Sequence, residues 1–141
     1  MDLTKDYPRS PRETLLGIPM LPRTIDKARA LLSSTLGEYV YGEKSSFDMA
    51  MLAFLGLSPA QFLEGVRESP DDAAMSRWLA SHARKTTPAD AQAFAQDFLN
   101  DGDDDADRDR FQERRAKLPA NVQDRVKGWV DLLDVAEGRI A

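Results

Sequence analysis

A helix-start motif that recurs four times constrains this chain more than any other feature of its sequence. In each copy a serine or threonine precedes a proline, and a carboxylate or amide side chain follows three residues after the hydroxyl. The hydroxyl can accept a hydrogen bond from a backbone N–H that a new helix leaves unpaired, and proline has no N–H to leave unpaired. The acid or amide can reach back to the cap residue. The copies predict helices that begin at Ser10-Pro11, Ser58-Pro59, Ser69-Pro70 and Thr87-Pro88.

Apolar side chains recur at helical spacing after these starts and in three further segments. The further helices are predicted from about Ile25 to Leu36 with Gly37 as the stop, from Ser45 or Ser46 to Gly56, and from the cap Asn121 through Leu133 to Gly138. Glu38–Gly42 is the only stretch typical of extended chain, and one short strand cannot form a sheet. The sequence therefore predicts an all-α fold, a compact bundle of about six or seven short to medium helices with no substantial sheet.

Length and composition limit the number of domains that the chain can form. The chain has 141 residues, 42% of them hydrophobic and 30% charged, which is the size and composition of one ordinary globular domain. We therefore expect a single helical domain over residues 1–141. Residues 1–20 contain three prolines and are expected to form an N-terminal arm that packs on it.

Charge and cysteine content exclude several classes of function. The net charge of −5 does not suit a protein that must neutralise nucleic-acid phosphates, so no nucleic acid is expected as a partner. The chain has no cysteine, which removes disulfides, thiolate zinc sites and iron–sulfur clusters, and we expect no metal and no cofactor. The N-terminus lacks the apolar run of a secretory signal, and no apolar run is long enough to span a membrane. A cytoplasmic location without a membrane partner is the expectation.

No catalytic motif can be found in the sequence. His82 is the only histidine, and nothing in the sequence offers a nucleophile to pair with it. A position at a helix end or on the surface is therefore expected for His82. No glycine pattern typical of a dinucleotide or phosphate site is present, and no catalytic residue is assigned.

An acidic run over residues 101–109 alternates acids much as a calcium loop does. An EF-hand loop that starts at Asp101 needs glycine at its sixth position and glutamate at its twelfth, where this chain has Ala106 and Gln112. The competing interpretation is a solvated helix whose acidic start and basic end complement the helix dipole. The sequence favours the second interpretation and leaves open whether the run binds a cation.

Arginines in the N-terminal third form the most promising candidate site. Up to Ala30 the chain holds six Lys or Arg against four acids, although the whole protein is acidic. Arginine binds carboxylates and phosphates with two parallel hydrogen bonds, so Arg9 and Arg23 are suited to an anionic ligand. The candidate ligand-binding residues are Arg9, Arg12, Arg23, Asp26, Tyr39, Asp131 and Asp134.

A structural role for the same residues is the favoured alternative. Asp131 and Asp134 share a face of the last predicted helix amid apolar neighbours, so they need partners, and the N-terminal arginines can supply them. Tyr39 and Tyr41 are two residues apart and share a face of an extended segment. That face is either core or the wall of a pocket.

Three motifs resemble a family of small bacterial proteins known only as a domain of unknown function. They are Pro8-Arg9-Ser10-Pro11-Arg12-Glu13, the stretch Leu21-Pro22-Arg23 with Ile25 to Ala30, and the ending Trp129 to Ile140, in which Asp131, Leu132, Leu133 and Asp134 precede Glu137-Gly138-Arg139. The resemblance implies one bacterial domain across the chain. It implies no activity, cofactor or catalytic residue.

These observations predict a noncatalytic helical module that acts through protein contacts or by binding a small anionic metabolite. The alternative is a small enzyme that acts on an anionic substrate at an Arg/Asp/Tyr site formed by the N-terminal segment and the last helix. The sequence leans against an enzyme. An unidentified protein partner or a small anionic ligand is expected, and a homodimer is among the expected assemblies.

Overall fold

The computed structural model describes residues 1–99 and 105–140 and confirms the mostly helical fold. Within these ranges the chain forms eight α-helices and one two-stranded hairpin. The elements are β1 (Thr14–Leu15), β2 (Ile18–Pro19), α1 (Leu21–Leu32), a 3₁₀ turn (Gly42–Lys44), α2 (Ser46–Leu55), α3 (Pro59–Glu68), α4 (Asp72–His82), α5 (Pro88–Leu99), α6 (Asp105–Ala116), α7 (Ala120–Gln123) and α8 (Trp129–Ala136).

The chain divides into two compact units, Met1–Phe94 and Ala95–Ala141. In the first unit the N-terminal residues are tied to the loop after α1, because the Leu3 N–H donates to the Thr35 carbonyl at 2.8 Å and the Leu3 side chain is buried. The Met20 N–H donates to the Pro11 carbonyl at 2.9 Å. Residues 1–20 thus belong to the first unit and contact its loop after α1, whereas a single domain over 1–141 with a packed N-terminal arm stays a prediction.

Two of the four predicted helix starts are confirmed with their capping bonds. Ser58 Oγ accepts from the Gln61 N–H at 3.1 Å, and Gln61 Oε1 accepts from the Ser58 N–H at 2.9 Å. Thr87 and Asp90 exchange the same pair of bonds at 3.1 and 2.8 Å at the start of α5. The motif satisfies the unpaired donors of a new helix locally, which is why it could be found from sequence alone.

The helix start predicted at Ser10 is wrong. The local bonds of the motif do form, since Ser10 Oγ accepts from the Arg12 N–H and the Glu13 carboxylate accepts from the Ser10 N–H. The chain then turns at Leu16 and Gly17, both with positive φ, and pairs β1 with β2. Gly17 and the proline of β2 leave too few residues for a helix after the cap.

The helix start predicted at Ser69 is displaced by two residues. The Asp71 side chain accepts from the Ala74 N–H at 2.8 Å and caps α4. Ser69 instead ends α3, and its N–H donates to the Val66 carbonyl. Aspartate is as good a capping residue as serine, so Asp71, two residues after Ser69, can take the N-cap position of α4.

Helix α1 begins and ends about four residues earlier than the predicted Ile25–Leu36. Met20, with φ +71°, precedes it without any side-chain cap, so Pro22 in the first turn is the local signal that marks the start. The helix ends at Leu32, well before the predicted stop at Gly37. The positive φ of Gly37 instead serves a close approach, because a Cβ there would lie 3.1 Å from the Leu3 carbonyl oxygen.

The core of the first unit collects fully buried side chains from α1 to α4. These include Leu21, Ile25, Met51, Leu52, Phe62 and Met75. Helix α2 has the predicted bounds, with Ser45 as its cap and Gly56 in the left-handed conformation at its end. No single helix in the described ranges is long and apolar enough to cross a membrane; α2 and α3 reach that length and hydropathy only together, bent by 77°.

The second unit has its own apolar cluster, formed by Phe111, Val122 and Val126 with Trp129 and Leu132 packed against them. The single helix predicted from Asn121 through Leu133 is wrong, because the chain forms the short α7 and then α8. Gly138, with φ +77°, ends α8 as predicted. Residues 101–104 of the acidic run lie outside the described residues, so its cation binding stays untested.

The break between α7 and α8 is a capping arrangement. The Asp131 carboxylate accepts hydrogen bonds from the N–H groups of Lys127 at 2.6 Å and Gly128 at 3.3 Å. Gly128 is extended, with φ −159°, and begins the new helix. A carboxylate that satisfies two backbone donors favours a helix start over a continuous helix.

Candidate functional site

Arg9 joins the N-terminal arm to α1 through Asp26. The Asp26 carboxylate accepts from the Arg9 backbone N–H at 2.9 Å, from Nε at 3.1 Å and from Nη2 at 3.1 Å. Asp26 is buried, so these bonds replace the water that the charged carboxylate loses on folding. Backbone and side chain of one arginine therefore hold one buried acid.

The same guanidinium reaches α4 through Asp72. Arg9 Nη1 lies 2.6 Å from Asp72 Oδ2, and Nη2 lies 3.2 Å from Oδ1. Hydrogen bonds from Arg9 hold the pKa of Asp72 below its ordinary value, and the same bonds raise the pKa of Arg9. Arg29 adds a longer contact, since its Nη1 lies 3.5 Å from Asp72 Oδ1. The buried Arg29 Nη2 has no hydrogen-bond partner among the described residues.

Arg23 is buried between Arg9 and Tyr39. Its Nη1 donates to the Arg9 carbonyl at 3.2 Å, and its guanidinium carbon lies 5.6 Å from the centre of the Tyr39 ring. A guanidinium at that distance over an aromatic face is a cation–π contact. The structure thus brings together four of the predicted site residues: Arg9, Arg23, Asp26 and Tyr39.

The other three predicted site residues lie elsewhere in the chain. Arg12 is exposed, and its backbone N–H donates to Ser10 Oγ. Asp131 and Asp134 belong to the second unit, where Asp131 caps α8 and Asp134 binds Arg139 Nη1 at 3.3 Å. The pairing of the N-terminal arginines with these two acids stays a prediction, as does a ligand bound by the set.

A second, buried network lies where α1 meets α2. Lys27 Nζ lies 2.8 Å from Asp48 Oδ1, and both side chains are at least 96% buried. Thr24 Oγ1 lies 3.2 Å from the same oxygen, and Asp48 Oδ2 accepts from the Gly42 N–H at 2.9 Å. Asp48 is not among the predicted site residues, although a lone acid in the apolar stretch Phe47–Leu52 carries the same signal as Asp131.

A concave surface, which we name the tyrosine groove, lies beside these networks and has a volume of about 510 Å³. Its walls are Leu31, Leu36, Tyr39, Val40, Tyr41, Glu43, Lys44, Pro59 and Ala60. Of the two alternatives for the tyrosines, core or pocket wall, the structure shows the wall. Apolar side chains and two aromatic rings make this groove suited to an apolar group.

Tyr41 and the 3₁₀ turn fix the shape of the tyrosine groove. Tyr41 Oη donates to the Pro59 carbonyl at 2.7 Å. Burial raises the pKa of Tyr41, and the Asp48 carboxylate raises it further. Gly42, with φ +80°, would bring a Cβ within 3.0 Å of the Pro59 ring, so glycine allows the turn to lie against α3.

A second concave surface, the acidic groove, lies between α3 and α4 with a volume of about 440 Å³. Its walls are Leu57, Ala60, Gln61, Glu64, Glu68, Trp78 and His82. Trp78 Nε1 donates to Glu68 Oε2 at 3.2 Å. Ala60 lines both grooves, so the two adjoin at the start of α3.

Trp78 is held between a glycine and the only histidine. A Cβ at Gly65 would lie 2.7 Å from three carbons of the indole ring, so only glycine allows this contact. His82 stacks on Trp78 with ring centres 4.2 Å apart, and its Nδ1 lies 2.8 Å from the Trp78 carbonyl oxygen. Because a carbonyl only accepts, Nδ1 carries the proton. His82 is exposed at the end of α4, as predicted.

These features describe a mostly helical protein with internal ion-pair networks and two surface grooves. The chain belongs to the family described as a domain of unknown function (DUF5069), which matches residues 5–139. A comparison with curated proteins finds no match. In the described residues no group of three or more His, Asp or Glu side chains is arranged to hold a metal ion.

Proposed function

We propose that this chain is a noncatalytic protein-binding module that takes an apolar side chain of its partner in the tyrosine groove. The observation that carries the proposal is the exposure of Leu31 (38%) and Val40 (42%) on the walls of a groove that also contains two tyrosine rings. Single exposed apolar side chains are ordinary on protein surfaces. Apolar side chains that adjoin aromatic rings in a concave surface are typical of binding sites.

The rigidity of the groove supports the same function. The Tyr41 ring is held by its hydrogen bond to Pro59, and the Gly42 N–H is held by the buried Asp48. A partner that enters a preformed groove loses less free energy to ordering side chains. Tyrosine rings in particular provide a large contact area with few rotatable bonds.

The arginine cluster gives less support to the enzyme alternative. Arg9 Nε, Nη1 and Nη2 all donate to Asp26, Asp72 or the Pro22 carbonyl, so an anionic substrate would have to displace two carboxylates. Asp26 and Arg23 are each only 3% exposed, which leaves them poorly placed for acid–base work on a substrate. The contacts support a structural role for this cluster.

A second candidate function, the binding of a small anionic metabolite, has one observation in its favour. Arg29 Nη2 is buried and has no partner among the described residues, and a buried donor without a partner is costly. A small carboxylate or phosphate could accept this bond. Thermal unfolding with inorganic phosphate and with citrate tests this candidate, since a shift that Arg29→Ala abolishes would favour it over the protein-binding function.

The test of the protein-binding function is a selection of short random peptides on the immobilised full chain. The tightest peptide is labelled and titrated by fluorescence anisotropy against the wild type and against Leu31→Asp and Val40→Asp. We expect each variant to weaken binding about tenfold or more, because a charge replaces an apolar contact in the groove.

Leu16→Asp is the matched control, because Leu16 is 56% exposed and lines neither groove. Its affinity should equal that of the wild type. Peptides that bind all three variants as tightly as the wild type would overturn the proposed function.

We also propose a bacterial origin and a cytoplasmic location. The motifs shared with small bacterial proteins support the first. The absence of cysteine supports the second, because proteins of oxidising compartments commonly carry disulfides. Fractionation of cells that express the chain from its own gene, followed by immunoblotting, tests the location.

A further inference from the structure

We infer that the partner presents a basic segment, with an apolar anchor in the tyrosine groove and Lys or Arg side chains over the acidic groove. This inference rests on the proposed function and names the chemistry of the partner. It follows from the position of the two grooves side by side at Ala60 and from the different side chains that line them.

The positions of the lining residues along α3 give the order of contacts. Pro59 and Ala60, at the start of the helix, line the tyrosine groove, and Gln61, Glu64 and Glu68 follow along the acidic groove. A partner segment that enters at Val40 and continues along α3 therefore meets apolar walls first and carboxylates afterwards.

The carboxylates of the acidic groove can accept further hydrogen bonds. Glu68 uses one oxygen for Trp78 Nε1, and an ionised carboxylate has about four acceptor positions. Glu64 forms an ion pair with Arg67 at 3.1 Å, but both side chains are more than half exposed. An exposed pair of this kind is weak, so a cation of the partner can exchange for Arg67.

The face of Trp78 does not provide the recognition. The indole packs on Gly65 and stacks on His82, so both neighbours cover parts of its faces. Cationic side chains of the partner are therefore recognised by the carboxylates and not by a cation–π contact. The overall charge of −5 adds a long-range attraction for a basic segment, which is screened by salt.

The test uses the peptides selected on the full chain and has two parts. The composition of the enriched peptides is compared with that of the unselected library, and Lys and Arg should be enriched next to apolar residues. The tightest peptide is then titrated against Glu64→Gln/Glu68→Gln, where we expect about tenfold weaker binding at low salt, and a smaller loss as salt rises.

Asp6→Asn/Glu113→Gln is the matched control, because it removes two exposed acids that line neither groove. Its affinity should change less than about twofold, since remote exposed charges act only through the screened field.

The outcomes separate the two proposals. Peptides that lose affinity on Val40→Asp but not on Glu64→Gln/Glu68→Gln, or that lack basic residues, overturn this inference and leave the proposed function. Peptides that respond to neither change overturn both. A homodimer that Val40→Asp dissociates in analytical ultracentrifugation would overturn the inference in favour of a second copy of the chain.

Discussion

The interiors of the two units are stabilised by different chemistry. In the first unit α1 buries Arg23, Asp26 and Lys27, and α2 adds the fully buried Asp48. In the second unit Phe111, Val122 and Val126 form an apolar cluster, while its buried acids bind backbone N–H groups or Arg139. The first unit therefore buries a complete ion pair, Lys27 with Asp48, beside its apolar core, whereas the buried acids described in the second unit pair with backbone N–H groups or with the partly exposed Arg139.

The largest effect is expected from breaking the buried ion pair of the first unit. Lys27→Met leaves the Asp48 carboxylate without its cation, which should reduce the free energy of unfolding by about 3–5 kcal/mol. Urea unfolding measures the loss, and hydrogen exchange by mass spectrometry locates it in α1 and α2.

The double variant Lys27→Met/Asp48→Asn is the control, because it removes both charges and keeps an amide oxygen for the Gly42 N–H. About half or more of the free energy of unfolding that Lys27→Met loses should return in the double variant. Equal stability of the single and double variants would show that the buried charge itself is not what destabilises the first unit.

Among changes in the second unit, the largest effect is expected from a loss of side-chain volume in its apolar cluster. Phe111→Ala is expected to cost about 3 kcal/mol, because Phe111 is only 3% exposed and contacts Trp129 at a ring-centre distance of 5.8 Å. Hydrogen exchange should increase in residues 105–136. Phe111→Leu keeps most of the volume and should cost clearly less; an equal loss would contradict a role for volume.

A moderate and pH-dependent effect is expected at Asp72. Its pKa is lowered in the folded chain by hydrogen bonds from Arg9, so its stabilising contribution is present above its unfolded value of 3.8 and is lost as the pH falls through the folded value. Because about a third of the side chain is exposed, Asp72→Asn should cost at most about 1 kcal/mol at pH 7.

Urea midpoints at pH 6 and at pH 3 measure this dependence. The difference between wild type and Asp72→Asn should shrink at the lower pH. A difference that grows on acidification would contradict the assigned contact.

The smallest effect is expected for an exposed ion pair. Arg67→Ala removes the contact with Glu64, in which both side chains are more than half exposed. The loss in the free energy of unfolding, measured by urea unfolding, should be below about 0.5 kcal/mol at both low and high salt. A loss of the size expected for Lys27→Met would show that burial is not what distinguishes the charges of the first unit.

Local features of the fold were predictable from the sequence, whereas features set by distant residues were not. Ser58 and Thr87 form their capping bonds with residues three positions away, so a short window contains all of the information. The start of α1 has no side-chain cap and its polar residues are buried, so Pro22 in the first turn was the local signal for it and a capping motif was not.

The candidate site shows the same limit. The cluster around Arg9 and Arg23 was anticipated from their charge, but Asp72 lies 63 positions from Arg9 in the chain. The acidic groove was missed because Gly65 and Trp78 meet only through the packing of α3 on α4. A single sequence contains no direct signal for such contacts.

The bonds of Arg9 have a consequence for how this sequence can change over generations. One guanidinium serves the carboxylates at positions 26 and 72, and its planar fork cannot be replaced by the single ammonium of lysine without loss of a bond. Loss of Arg9 leaves the buried Asp26 without its cation, whereas loss of Asp72 leaves Arg9 paired with Asp26. Neutral drift is therefore expected to replace Arg9 and Asp26 together or not at all, whereas the partly exposed Asp72 and fully exposed surface positions can vary singly.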